Sequence, residues 1–380
     1  MRFRHPDGTL VHLAYCTNVH PAEHLDGIID RLDRYAGPVR RRLGTDRLGV
    51  GLWLAAGTAS ALAGEPAQVR RLRRTLDRLG LEVVTLNGFP YAGFQNEIVK
   101  HRVYHPDWTR PERVDHTLNL ARILTGLLPD DVTEGSISTL PLAWRTPWRD
   151  AAAARARSHQ ERLERELAAL EQSTGRSIAV AFEPEPGCVV ETTAQAAEHL
   201  LGGARFSGVC LDACHLAVAF EEPEDAVARL AEAGLAVPKM QASCALHVDS
   251  PADPVHRDAL SGFAEPRFLH QTRERGCAGG ADDLDEALRG GLPGAESWRV
   301  HFHIPLHARP TEPLRSTQRV LIDLLRTLLG GERALTRHVE VETYTWNVLP
   351  DGAREPLADG IAAELHWIRE RLAELGLREE

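Results

Sequence analysis

A chain of 380 residues, 43% of them hydrophobic, can form one large domain or two ordinary ones, and α/β barrels often pass 200 residues undivided. Its formal net charge of −10 argues against a nucleic-acid partner held through phosphate contacts. No apolar run nears the ~20 residues that span a bilayer. The polar segment Met1–His12 lacks the pattern of a signal peptide, so a cytoplasmic protein is expected.

Short apolar runs alternate with longer amphipathic ones along the chain. Strands are predicted at Val11–Cys16, Leu48–Ala55 and Glu82–Asn87. The helix at Glu65–Leu79 puts Val69, Leu72, Leu76 and Leu79 on one face. A helix at Pro111–Leu128, a strand at Ser136–Leu140 and an Ala-, Arg- and Glu-rich helix at Thr146–Gln172 follow. Next come the strand Ser177–Phe182, the helix Thr193–Leu201, the strand Ser207–Leu211, the helix Pro223–Ala233 and the strand Val237–Ala242. A ninth run, Arg299–Ile304, is an extra strand or an extended stretch of loop. The helix Pro313–Leu329, the strand His338–Glu342 and the helix Pro356–Leu375 close the series. Pro223, Pro313 and Pro356 each suit a first helical turn.

Eight βα units imply an α/β fold of the single (β/α)8 TIM-barrel type, one domain over residues 1–380. No Gly-x-Gly-x-x-Gly follows the first strand, so a dinucleotide fold lacks its fingerprint. Ser250–Ser297 is too long for a simple connection and reads as an insertion after strand seven, a lid or a subunit contact. Its Phe268, Leu269 and His270 want an apolar home. The six cysteines contain no Cys-x-x-Cys pair and read as small buried residues.

Barrel enzymes carry their chemistry at the C-terminal ends of the strands. Strand five runs into Glu183 and Glu185, and strand six ends at Asp212 with His215 three residues on. Strand seven carries Lys239 and Gln241, the segment after it His301 and His303, and strand eight Glu340 and Glu342. Taken singly, each is an ordinary cap, surface carboxylate or core histidine. Together, carboxylates leaving three of the last four strands would converge and repel, and a divalent cation is the simplest device that keeps them ionised. Oxygen donors with imidazole nearby suit Mn, Zn, Mg or Co. The expected ligands are Glu183, Asp212, Gln241, Glu342 and His303. Glu183, Glu342 and His215 are the expected catalytic residues, and Glu185, Asn87, His301 and Lys239 the expected substrate contacts. Phe89, Tyr91 and Phe94 of the loop NGFPYAGF form an aromatic wall or ordinary packing below the rim.

These residues resemble the xylose isomerase-like superfamily of sugar phosphate isomerases, epimerases and endonuclease IV. That superfamily places a Glu, an Asp-x-x-His, an imidazole or amide, and a Glu on strands five to eight. Glu183, Asp212 with His215, Gln241 and Glu342 stand at those positions in turn, and His301-x-His303 looks like a metal-binding Asp-x-His with His for Asp. Gln241 departs from the endonuclease pattern, and the early-strand histidines of a three-zinc site look incomplete. Across nearly the whole chain, NGFPYAGFQNEIVKHRVYHPDW, GSISTLPL, FEPEPGC and CLDACHLAVAFEEP resemble the EboE "metabolite traffic" proteins. That resemblance implies a small polyhydroxylated metabolite as ligand and other Ebo-operon proteins as partners. The strand-end residues and the superfamily pattern together imply a metal-dependent isomerase or epimerase, with a metal-dependent hydrolase or a non-catalytic metabolite binder as alternatives.

Overall fold

The computed structural model describes residues 1–350, 352 and 355–380. Eight parallel strands close on themselves. They are β1 (Leu10–Cys16), β2 (Leu48–Trp53), β3 (Thr85–Asn87), β4 (Glu134–Thr139), β5 (Ser177–Phe182), β6 (Ser207–Asp212), β7 (Ala236–Ala242) and β8 (His338–Val341). Each pairs with the next, and β8 pairs with β1 through Glu340 and Ala14, which closes the barrel. The third predicted strand is split: Leu81–Glu82 pairs separately with β2, ahead of Thr85–Asn87.

The helices outside the barrel follow the amphipathic pattern of the sequence. Pro66–Leu79 buries Leu72 and Leu76, and Asp150–Thr174 buries Leu163 and Leu167 while its charged face meets solvent. Thr193–His199 starts in a capping box between Thr192 and Gln195. One proline behaves differently. The helix expected from Pro313 starts at Gln318, because Arg315–Ser316 is drawn into a strand against Leu246–Val248. Among the described residues no helix is long and apolar enough to cross a membrane.

The insertion after β7 is larger and more ordered than its composition suggests. Five short strands, Leu246–Val248, Thr272–Glu274, Gly280–Ala281, Trp298–Val300 and Arg315–Ser316, form a second, antiparallel sheet. The run Arg299–Ile304 is therefore only partly strand. A helix at Pro254–Ser261, capped by the Asp253 side chain, was not legible in the pattern. Phe268, Leu269 and His270 are buried as their chemistry requires. Five of the six cysteines are buried; Cys277 is exposed.

Barrel interiors are usually layered with branched aliphatic side chains. This one is polar. Lys239 on β7 is fully buried, as is Glu340 on β8, and the two form an ion pair at 2.6 Å. Lys239 Nζ also donates to Ser138 Oγ at 3.0 Å. Below them His338 Nδ1 meets Ser136 Oγ at 2.7 Å, and His12 Nδ1 meets Glu82 at 3.2 Å. Room for Glu340 comes from Gly51, where an added Cβ would stand 1.4 Å from Glu340 Oε1. Gly51→Ala is thus expected to push the carboxylate off Lys239 and to cost about 3–5 kcal/mol, as breaking a buried pair does. Urea denaturation of the variant against the parent measures it.

Candidate metal centre

The mouth of the barrel is built by local rules. β5 ends at Phe182, and Pro184 prevents the next residues from continuing the ladder, so Glu183 turns inward at the rim. Asp212 ends β6 and caps the helix Ala213–Val218, its Oδ1 accepting from His215 N at 3.0 Å and from Ser243 Oγ at 2.7 Å. Glu342 follows β8; its Oε1 accepts from Asn18 Nδ2 at 2.7 Å and from Asn87 Nδ2 at 2.8 Å. Ligand atoms of Glu183, Asp212 and Glu342 lie within 4.8 Å of one another.

His303 reaches the same place from the insertion. Its Nδ1 donates to the Glu342 carbonyl at 2.7 Å, which leaves Nε2 as a bare lone pair. That lone pair, Glu183 Oε2 and Asp212 Oδ2 have no hydrogen-bond partner among the described residues, and all three are buried. Three unsatisfied ligand atoms in one buried cluster need an explanation. Glu183, Asp212 and Glu342 could hold a divalent cation, and His303 Nε2 stands with Asp212 in an adjoining group of possible ligands.

Electrostatics agree. Burial, then the Glu342 and Asp212 charges, push the Glu183 carboxyl well above its usual range. Burial, then Asp212 and Glu340, do the same to Glu342. Burial pushes the His303 imidazole down to about 4, so it is neutral and free to ligate near pH 7.

Beside this cluster, His215 Nε2 lies 3.1 Å from Glu185 Oε2 and 3.0 Å from His301 Nε2. Tyr104 OH donates to Glu185 Oε1 at 2.9 Å, and Gln271 Nε2 donates to Tyr104 OH at 2.8 Å. Above lies a cavity of about 60 Å³. Glu183, Glu185, His215, His301, His303, Glu342, Asn87 and Asn18 line its polar side, and Phe89, Phe94, Phe268 and Tyr344 its apolar side. Tyr91 turns away and packs edge-on against His116. The loop after β3 and the insertion meet over the opening, where Val99 N and Lys100 N donate to Arg267 O at 2.8 and 3.0 Å and Lys100 pairs with Asp283.

One expected substrate contact, Lys239, sits elsewhere. Lys239 is not on the cavity wall; it is committed to Glu340 inside the barrel. Gln241 is in register with Asp212 and, like Asp212, lies off the described cavity wall; its Oε1 accepts from Cys210 Sγ at 3.6 Å and its Nε2 has no partner among the described residues. Conversely, Tyr104, Gln271, Ser243 and Tyr344 belong to the site and carried no signal in the sequence. Tyr104 and Tyr344 lie in short 3-10 turns and Gln271 in a loop, where hydrophobic period says nothing, and Ser243 directly follows β7.

No protein-family model matches the chain, and no curated relative matches it. Solved structures do. An Anabaena variabilis protein assigned as a sugar phosphate isomerase/epimerase superposes with a TM-score of 0.50 at 15% identity, over 96% of this chain and 99% of its own. A D-tagatose 3-epimerase-like protein gives 0.49 at 13% identity, covering 96% and 98%. The IolI protein, solved with a zinc atom, gives 0.48 at 13% identity, covering 96% and 98%. At such identities the likeness concerns the fold, a (β/α)8 TIM barrel.

The raised carboxyl of Glu342 makes stability depend on pH. A carboxyl whose folded pKa exceeds the ordinary 4.5 adds stability below that value and loses it as pH rises through the folded pKa. Metal-free protein should therefore weaken from pH 5 to pH 8. Glu342→Gln should flatten that loss by up to ~1.4 kcal/mol per pH unit. Urea titrations of both proteins across this range provide the comparison; parallel slopes would contradict it.

Proposed function

We propose that the protein is a divalent-metal-dependent isomerase or epimerase acting on a small polyhydroxylated molecule: a sugar, a sugar phosphate or a cyclitol. The carrying observation is the trio of buried, unsatisfied ligand atoms, Glu183 Oε2, Asp212 Oδ2 and His303 Nε2, of which Glu183 and His303 line a small cavity together with Glu342. A divalent ion bound there supplies Lewis-acid polarisation of vicinal substrate oxygens. Glu183, Asp212, Glu342 and His303 are the residues that would hold it, with Asn18 and Asn87 orienting the Glu342 carboxylate from outside.

The chain's own groups suit proton exchange next to a carbonyl. Glu183 and Glu342 are carboxyls on the cavity wall, placed to take and return a proton of a bound substrate. Glu185 stands beside them as a further acid or base, held by Tyr104. His215, fixed by the Pro184 carbonyl at 2.9 Å, orients a substrate hydroxyl. Phe89, Phe94, Phe268 and Tyr344 exclude water from the reacting face. The motif resemblance to EboE supports a metabolite of an Ebo-type operon as substrate and its other products as partners.

Incubation of the Mn- or Zn-loaded protein with ketoses, ketose phosphates and inososes in D2O is the test. Deuterium should enter at the carbon next to the carbonyl, followed by NMR, and Glu183→Gln should lower the rate by ~10²–10⁴-fold. Tight metal binding with no exchange on any member of the panel would leave the protein a binder and overturn the enzymatic reading.

A further inference from the structure

The two chain segments that bring His303 and Glu342 to the rim run on into one buried seat behind the site. Past His303 the insertion continues to Leu306; past Glu342 the chain passes through Thr343 into the short 3-10 turn Tyr344–Asn347. That turn holds His303 from behind, since Thr345 Oγ1 donates to the His303 carbonyl while His303 Nδ1 donates to the Glu342 carbonyl at 2.7 Å. Both segments end on a single carboxylate. Glu364, in the helix Leu357–Glu374, accepts at Oε1 from Leu306 N at 3.1 Å and from Thr343 Oγ1 at 2.5 Å. Its Oε2 accepts from Trp346 Nε1 at 3.1 Å. One turn earlier the same helix passes Gly360 beneath the indole, where an added Cβ would stand 2.3 Å from Trp346 Cη2. Positions 360 and 364 share a helix face, so one element seats both the ring and its N–H. Glu364 is 1% exposed, and none of its three partners is a cation. If the helix only needed to pack, an apolar side chain with apolar neighbours would serve as well.

We propose that Glu364 is a positioning residue of the site: its carboxylate ties the segment behind His303 to the segment behind Glu342, and so fixes the His303 imidazole, the Glu342 carboxylate and the Tyr344 ring relative to one another. This role rests on the metal centre and function proposed above, and adds to them a group on the helix outside the barrel. Burial pushes the Glu364 carboxyl up to about 7; the bonds from Thr343, Leu306 and Trp346 pull it the other way, and the Glu355 charge adds to the rise. The other titratable groups facing this seat are Cys244, just past β7, and His307, which stacks on Trp346 and lies 3.6 Å from Glu355. Because the three bonds favour the ionised carboxylate, ionisation favours the three bonds in return. Protonation puts an O–H where Thr343 and Leu306 both donate, which weakens the hold on Leu306. The seat is therefore tightest above neutral pH and loosens below it.

Metal affinity and one indole N–H read this out. Mn(II) is titrated calorimetrically into chelator-stripped parent and Glu364→Gln between pH 6 and pH 8.5. Glutamine offers one donor and one acceptor, as the protonated carboxyl does. The variant should bind Mn(II) ~10-fold more weakly than the parent at pH 8.5, the size of effect that removing a group behind the ligands brings. The two should converge toward pH 6; protonation of the ligands themselves acts on both proteins and cancels in the ratio. In protein carrying isotope-labelled tryptophan, the indole N–H signal of Trp346 is assigned by its loss in Trp346→Phe. That signal should shift with an apparent pKa of about 7 in the parent and stay flat in Glu364→Gln. Trp346→Phe removes one donor and leaves the carboxylate, so it should also weaken Mn(II) at pH 8.5, and it decides the matter if a thermal melt shows Glu364→Gln unfolded. An affinity ratio that is flat across the pH range, or a Trp346 signal that does not titrate, would overturn the positioning role and leave the metal centre standing. A parent that binds no Mn(II) would overturn the centre itself, the proposed function and this role together.

Discussion

Like charge held in a dry place is the constraint around which this barrel is arranged. Glu183, Asp212 and Glu342 come within 4.8 Å of one another at a buried rim. At an effective dielectric constant near 20, each such pair repels by about 3–4 kcal/mol. Hydrogen bonds cover part of the negative charge: Asn18 and Asn87 serve Glu342, and Ser243 serves Asp212. They leave Glu183 Oε2 and Asp212 Oδ2 bare. The neighbouring cation inside the barrel, Lys239, is already matched by Glu340. The unsatisfied charge is thus concentrated at the mouth, where an ion can enter, while the interior below it is balanced.

The insertion after β7 completes this arrangement. His301 and His303 sit just past its strand Trp298–Val300, and the antiparallel ladder with Thr272–Glu274 and Leu246–Val248 holds that strand over the rim. Gln271 comes from the same ladder and touches His301 directly. The apolar residues Phe268 and Leu269 close the cavity from above, against Phe94 and Tyr344. A segment that composition marks as irregular supplies imidazole, orientation and cover together.

Motifs and pattern made the barrel legible, because strand and helix periods are local and each βα unit repeats them. Carboxylates at Glu183, Asp212 and Glu342 were legible for a related reason: a polar residue that ends an apolar run is placed at the rim by the strand itself. Depth was not legible. Lys239 and Gln241 share the inward parity of β7, yet parity does not say which residue faces the cavity and which is spent inside. Lys239 is spent on Glu340, a partner 101 positions away, and Gln241 leans on Cys210 of the adjacent strand.

By itself, then, the sequence determined the class of fold, the order of its units and the carboxylates at the strand ends, all of them consequences of short-range period and chain direction. Tertiary structure alone decided the second sheet, whose strands join segments such as Leu246–Val248 and Arg315–Ser316 across the length of the insertion. It also decided the start of the following helix at Gln318 rather than Pro313, since strand pairing claimed the intervening residues. Most of all it decided which nitrogen of each histidine is free, because that depends on carbonyls and an amide that only the closed barrel brings within reach.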